Sequence, residues 1–160
     1  FEKFFLKSFG KVGKIMKVKD CMCNEVICAT PTSTVQDCAN MMNSKHVGCI
    51  PVCDDTQNIV GLVTDRDIIL RCVACEKDPK NTPVTDIMTT NPCCCTPDTE
   101  ITEVENLMSK NQVKRIPVVE NNRIVGILTL GDLAANEQVN NQGVNNTLNN
   151  ICGCDKKNAE

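Results

Sequence analysis

Apolar and polar positions along this chain follow a few patterns, and each pattern occurs twice. From Val35 to Met42, and again from Ile101 to Met108, apolar side chains fall at i, i+3 and i+7 (Val35, Cys38, Met42; Ile101, Val104, Met108), which is one face of a helix. Short β-branched runs follow each helix: Ile50–Val52 then Ile59–Val63, and Ile116–Val119 then Ile124–Leu128. Polar turns at Asp54–Asn58 and Glu120–Arg123 separate the members of each pair, which predicts two adjacent strands. A second helix is predicted from about Asp67 and from about Asp132. Each unit therefore reads as an extended lead-in, helix, strand, strand, helix.

The two units are copies. Val18–Cys53 laid over Val84–Val119, and Ile59–Leu70 over Ile124–Ala135, agree at roughly a third of positions, a level chance rarely gives. The matches include Asp20/Asp86, Met22/Met88, Thr30-Pro31/Thr96-Pro97, Ile50-Pro51-Val52/Ile116-Pro117-Val118, Ile59-Val60-Gly61/Ile124-Val125-Gly126, Thr64/Thr129 and Asp67/Asp132. One such unit cannot cover both faces of its small sheet, whereas two stacked units can. The fold class expected is α+β: two βαββα-type repeats packed as a pseudo-two-fold pair, sheets facing, helices outside, with clefts between the copies. The repeats span 16–75 and 84–135, joined by a polar linker at 76–83 that carries Pro79 and Pro83. The Asn-rich tail, 136–160, is expected to be frayed, although Val144, Leu148 and Ile151 make a weak helical stripe there. Residues 1–15 hold all four Phe among lysines. They suit a basic amphipathic helix, but an extension preceding a natural start at Met16 is the favoured reading.

Composition narrows the function. The 160 residues carry a net charge of −3, and only 2% are aromatic, with no Trp or Tyr. A dedicated nucleic-acid binder would show a basic face or stacking platforms, so that class is set aside. No run approaches the ~18–20 apolar residues of a membrane span, which excludes an integral membrane protein. Thirteen cysteines, an odd number, with no secretory signal point to a cytoplasmic chain rather than to an extracellular disulfide framework. With His46 the sole histidine, no Ser-His-Asp or Cys-His constellation exists, and no phosphate-binding glycine loop is present, so no catalytic residue is assigned.

The recurring residues (Asp-x-Met, Thr-Pro, Val-x-x-Ile-Pro-Val, Ile-Val-Gly-x-x-Thr-x-x-Asp) resemble a tandem pair of cystathionine-β-synthase (CBS) domains, a Bateman module, over about residues 17–135. The resemblance implies a regulatory module that binds AMP, ADP, ATP or S-adenosylmethionine between the copies, with no required cofactor. It also implies a homodimer and an effector protein acted on in trans. The chemistry is sound: an ionised Asp accepts two hydrogen bonds from vicinal ribose hydroxyls, and Thr three residues earlier reaches phosphate. Carried over, the first site takes Thr64, Arg66 and Asp67 with Pro92, Cys93, Val113, Lys114 and Arg115. The second takes Thr129 and Asp132 with Val26, Ile27, Val47, Gly48 and Cys49. Lys114-Arg115 sits where the family often carries a phosphate-binding basic pair, while the second site has Gly48, Cys49 and Gly131 in the matching places. The expectation is thus that the first site takes the phosphorylated ligand, and that the second is weaker, empty, or prefers a ligand with an uncharged tail. Asp67 and Asp132 serve equally well as caps of the helices they precede.

The duplication also sorts the cysteines. Cys21, Cys38, Cys53, Cys93 and Cys95 each face an apolar residue in the other copy and read as small core filler. Cys28 and Cys94 face each other, and Cys72-x-x-Cys75 and Cys152-Gly-Cys154 remain as thiol pairs. No metal ligand is assigned. Two alternatives stand beside the nucleotide sensor: a dimeric scaffold with empty clefts, and a thiol-based metal or redox sensor. His46, at the end of the first helix, suits a surface or cleft-rim position.

Overall fold

The computed structural model describes residues 15–153. The readings of residues 1–14 and of Cys154 lie outside the described residues. Thr34 caps helix α1 (Val35–Lys45) reciprocally with Asp37, and His46 ends it in the left-handed conformation, φ 54°. Strand β1 (Cys49–Cys53) then pairs antiparallel with β2 (Ile59–Thr64). Thr64 caps the short helix α2 (Asp65–Asp67), which runs on as a π-helical stretch, Ile68–Val73. Strand β3 (Thr89–Thr90) opens the second repeat, followed by α3 (Ile101–Asn111), β4 (Arg115–Glu120), β5 (Arg123–Thr129) and α4 (Leu130–Ala135). The order predicted from the apolar spacing holds in both copies, and each hairpin carries a bulge, after Val52 and after Val118. Asn121 and Asn122 both adopt positive φ in the β4–β5 turn, which a two-residue hairpin of this twist requires.

The lead-in segments, however, are exchanged. Strand β3 belongs to the second repeat yet pairs with β2 of the first, and Cys23 of the first bonds Ile127 of β5 in both directions at 2.9 and 3.0 Å. Val84 and Ile87 accordingly lie in the first core, with Val35, Cys38, Ile50, Val52 and Val63. Val18 lies in the second, with Val104, Met108, Ile116, Val118 and Leu128. The duplicated glycines make this possible: a Cβ on Gly61 would collide with Met88, and one on Gly126 would lie 2.7 Å from the Met22 sulfur. The hairpin tips also meet symmetrically, Ile59 N–H to Asn122 O at 3.1 Å and Ile124 N–H to Gln57 O at 3.2 Å. The result is a mixed α+β molecule with two small antiparallel sheets, one for each core.

The expectation of a frayed tail fails over residues 141–152. These form helix α5 (Asn141–Cys152), whose Val144 and Ile151 enter the second core beside Leu130, Leu133 and Val139. Asparagine is a poor helix former, but burial of an apolar stripe outweighs propensity. The helix also packs on α3, where Gln112 donates to Asn150 O at 3.2 Å and the Asn150 amide reaches Ser109 Oγ at 3.4 Å. The matching helical face in the first repeat stays open, with Ile69, Leu70 and Val73 about half exposed or more. Among the described residues no helix is long and apolar enough to cross a membrane.

One carboxyl group is trapped under α5. Glu105 of α3 is buried, its Oε1 has no hydrogen-bond partner, and a Cβ on Gly143 would lie 2.6 Å from Oε2. Burial raises its pKa above the ordinary carboxyl value. The folded state thus holds this proton more tightly than the unfolded chain, so the contribution to stability is full below the unfolded value and is lost as pH rises through the raised one. Glu105→Gln should flatten that decline and add about 1–2 kcal/mol at neutral pH. Thermal melts of both proteins at pH 5 and pH 8 check this; a variant less stable than the parent at pH 8 contradicts it.

Candidate functional site

Each Thr-x-x-Asp motif forms a closed local unit at the end of a strand. In the second repeat Asp132 Oδ2 accepts from Thr129 N–H at 2.8 Å and from its hydroxyl at 2.7 Å, while Asp132 N–H donates to Thr129 Oγ1 at 3.1 Å. In the first repeat the same contacts join Thr64 and Asp67 at 2.9, 2.9 and 3.2 Å. The cap residue is therefore threonine, and each aspartate sits in the first turn and answers it, which corrects the reading of Asp as the cap itself.

This arrangement uses one carboxylate oxygen and leaves the other, and there the repeats differ. Asp67 Oδ1 lies 3.4 Å from Arg71 Nη1, whose guanidinium also donates to Ile87 O at 2.8 Å. The position matching Arg71 in the second repeat is Asn136, whose amide donates instead to Cys21 Sγ at 3.3 Å. Among the described residues, Asp132 Oδ1 has no hydrogen-bond partner.

Asp132 opens onto a cleft of about 690 Å³. Thr129 and Asp132 form one side, and Val26, Val47, Gly48 and Cys49 come from the other repeat, so six of the residues assigned to the second site stand together. Ile27 does not line the cleft; it packs against the first core. Lys114 and Arg115, assigned to the first site, line this same cleft. The Arg115 guanidinium crosses the start of β1, where a Cβ on Gly48 would lie 2.7 Å from Nη2 and 2.8 Å from Asp65 Oδ2. A glycine at 48 is what lets the cation lie there. Of the rest, Val113 packs against the second core, Pro92 is half-buried, Cys93 accepts a hydrogen bond from Asn111 at 3.5 Å, and Arg66 is exposed. His46 ends α1 at the cleft rim.

Sequence reasoning missed the cleft's third side. Val144, Asn145 and Leu148 of α5 line it, as do Glu25 and Leu130. The stripe Val144, Leu148, Ile151 was the available signal, and its low helix propensity hid it.

The cysteines divide as the duplication suggests for the buried members. Burial raises the Cys38 thiol to about 11 and, with neighbouring thiols and Glu103 adding, Cys95 to about 12, so both stay protonated. Cys21 and Cys93 are only half-buried. Cys72 and Cys75 each donate to a main-chain carbonyl, of Lys77 at 3.4 Å and Leu70 at 3.5 Å. Among the described residues no three His, Cys, Asp or Glu side chains gather as a metal site would need.

Two repeats with exchanged lead-in segments and a cleft lined by both define a paired-repeat module. The CBS domain pattern matches residues 18–73 and again 84–137, and the chain belongs to this family. It is 39% identical to the CBS domain-containing protein YhcV of Bacillus subtilis over 135 residues, covering 84% of this chain and 94% of that one. It is also similar to the CBS domain pair of MJ0100, solved in complex with 5′-methylthioadenosine and S-adenosyl-L-methionine: TM-score 0.69, 28% identity, 74% of this chain and 97% of that one. CBSX2, solved in complex with AMP, superposes with a TM-score of 0.63 at 28% identity, covering 72% of this chain and 91% of that one.

Proposed function

We propose that this chain is a regulatory module that binds an adenosine-containing ligand, AMP, ADP, ATP or S-adenosylmethionine, in the cleft at Asp132. The observation that carries this reading is the unpartnered Asp132 Oδ1 facing a cleft that also holds apolar Val26 and Val47 and cationic Lys114 and Arg115. The carboxylate suits vicinal ribose hydroxyls, the valines suit the faces of an adenine, and the cations suit phosphate or carboxylate. Similar chains solved with AMP or S-adenosylmethionine support the ligand class.

The asymmetry between sites then runs opposite to the sequence expectation. The basic pair lines the second cleft, and in the first Arg71 already engages Asp67, so the charged ligand belongs in the second. Occupancy would act on an effector in trans. A homodimer fits the exposed Leu70 and Val73, whose places in the second repeat hold Ala135 and Gln138.

Circular-dichroism melts with AMP, ADP, ATP and S-adenosylmethionine test the proposal without aromatic fluorescence. A ligand at ~100 times its dissociation constant adds ~2.7 kcal/mol, on the order of 5–10 °C for a chain of this size. A shift of that size with at least one adenosyl compound is expected. Unshifted melts with all four would leave the empty scaffold as the better reading.

A further inference from the structure

Helix α5 lies beyond the matched repeats, which end at residue 137, yet it supplies Val144, Asn145 and Leu148 to the cleft. We propose that α5 is both a specificity wall and the reporting element of this site: Asn145 and Leu148 contact the bound adenosyl ligand, and occupancy tightens the docking of α5. The inference rests on the ligand reading above.

Three features of the structure lead there. First, the two side chains are exposed before binding: Leu148 is 40% accessible, and Asn145, also exposed, has no hydrogen-bond partner among the described residues. An apolar side chain and a free amide at the mouth of a cleft have much to gain from a planar heterocycle with hydrogen-bonding edges. Second, α5 bridges the cleft to the second core, since Val144 lines the cleft and also packs with Leu130 and Leu133. A ligand held by Asp132 on α4 and touched by Leu148 on α5 therefore ties the two helices together. Third, the docked position carries a built-in penalty. The Glu105 carboxylate, with Oε1 unpaired, lies under Gly143 in the first turn of α5. A helix docked over a buried carboxyl oxygen with no hydrogen-bond partner is easily loosened, so a modest contribution from a ligand shifts its equilibrium.

The first repeat is the internal control. Its corresponding helix has no such cover, and its Ile69 is exposed with no α5 beside it. Four full-length proteins are titrated with AMP and with S-adenosylmethionine by calorimetry: the parent, Asn145→Ala, Leu148→Ala and Ile69→Ala. All three substitutions are at exposed positions, so the unliganded melting temperatures should agree closely. Leu148→Ala and Asn145→Ala should each weaken binding about 5–10-fold, with Ile69→Ala unchanged. Amide exchange read by mass spectrometry on the parent should slow several-fold across 141–152 at ligand saturation. In Glu105→Gln that slowing should shrink, because α5 is already better docked. Parental affinity in both α5 variants, or α5 exchange unchanged while residues 47–49 become protected, overturns the inference and leaves the ligand reading standing. A parent that binds neither compound overturns both, and the two failures are told apart by that one titration.

Discussion

Asp132→Ala is expected to weaken adenylate binding by roughly 100-fold or more, while Asp67→Ala leaves it within about twofold. The two substitutions remove the same local structure. Each deletes the first-turn carboxylate that answers a threonine cap, and each should cost about 1 kcal/mol of stability. They differ in the second oxygen. Two hydrogen bonds from ribose hydroxyls to an ionised carboxylate contribute ~1.5–3 kcal/mol each, and only Asp132 Oδ1 is free to accept them. At Asp67 that oxygen is engaged by Arg71, which is itself anchored on Ile87 O. Calorimetric titration with AMP, alongside melts to confirm equal destabilisation, measures both halves. Equal loss of affinity in the two variants would remove the asymmetry proposed for the clefts.

The second large effect concerns stability. Leu133→Ala should destabilise the chain by about 2–5 kcal/mol, the range for deleting a well-packed buried leucine. Leu133 is fully buried, packed in the core that α5 completes with Val139, Val144 and Ile151. Its counterpart in the first repeat, Ile68, is only partly buried because nothing equivalent to α5 covers it. Ile68→Ala should therefore cost clearly less, about 1–2 kcal/mol, since part of that side chain already meets solvent. Denaturant unfolding of both variants gives the comparison. Equal losses would mean that α5 adds nothing to the second core. Because α5 also lines the cleft, Leu133→Ala should weaken ligand binding as well, through a helix that no longer sits in place.

These two predictions mark where reading the sequence succeeded and where it stopped. The strands and helices of both copies follow from local spacing, because a helix face recurs every three to four residues and a half-buried strand every two. The turn after Glu120 likewise follows from Asn121-Asn122, residues that tolerate positive φ. The Thr-x-x-Asp units were legible for the same reason: their hydrogen bonds join residues three apart. The assignment of Val26, Val47, Gly48 and Cys49 opposite Thr129 and Asp132 rested on a resemblance, and all four line the cleft with that pair.

Contacts between distant segments were another matter. Nothing in the spacing of apolar residues says that Val18 is buried with the second repeat and Val84 with the first, since a hydrophobic side chain is stabilised by any core that removes it from water. The duplicated glycines and methionines, Gly61 with Met88 and Gly126 with Met22, recorded that exchange, but only the folded chain shows which glycine each methionine crosses. Arg71 could not be matched to Asp67 as an inhibitor of its second oxygen, because the salt bridge looks like any helical i, i+4 pair until the site is assembled. Likewise the Asn-rich segment 141–152 lacks the propensity to form a helix alone, and it does so here because the second core has a surface for Val144 and Ile151 to cover. The sequence by itself thus determined the repeated elements and the polar motif at the end of each second strand. The tertiary structure decided which cleft collects the basic pair, which aspartate stays free, and that a third wall exists, because each of these depends on burial between residues far apart in the chain.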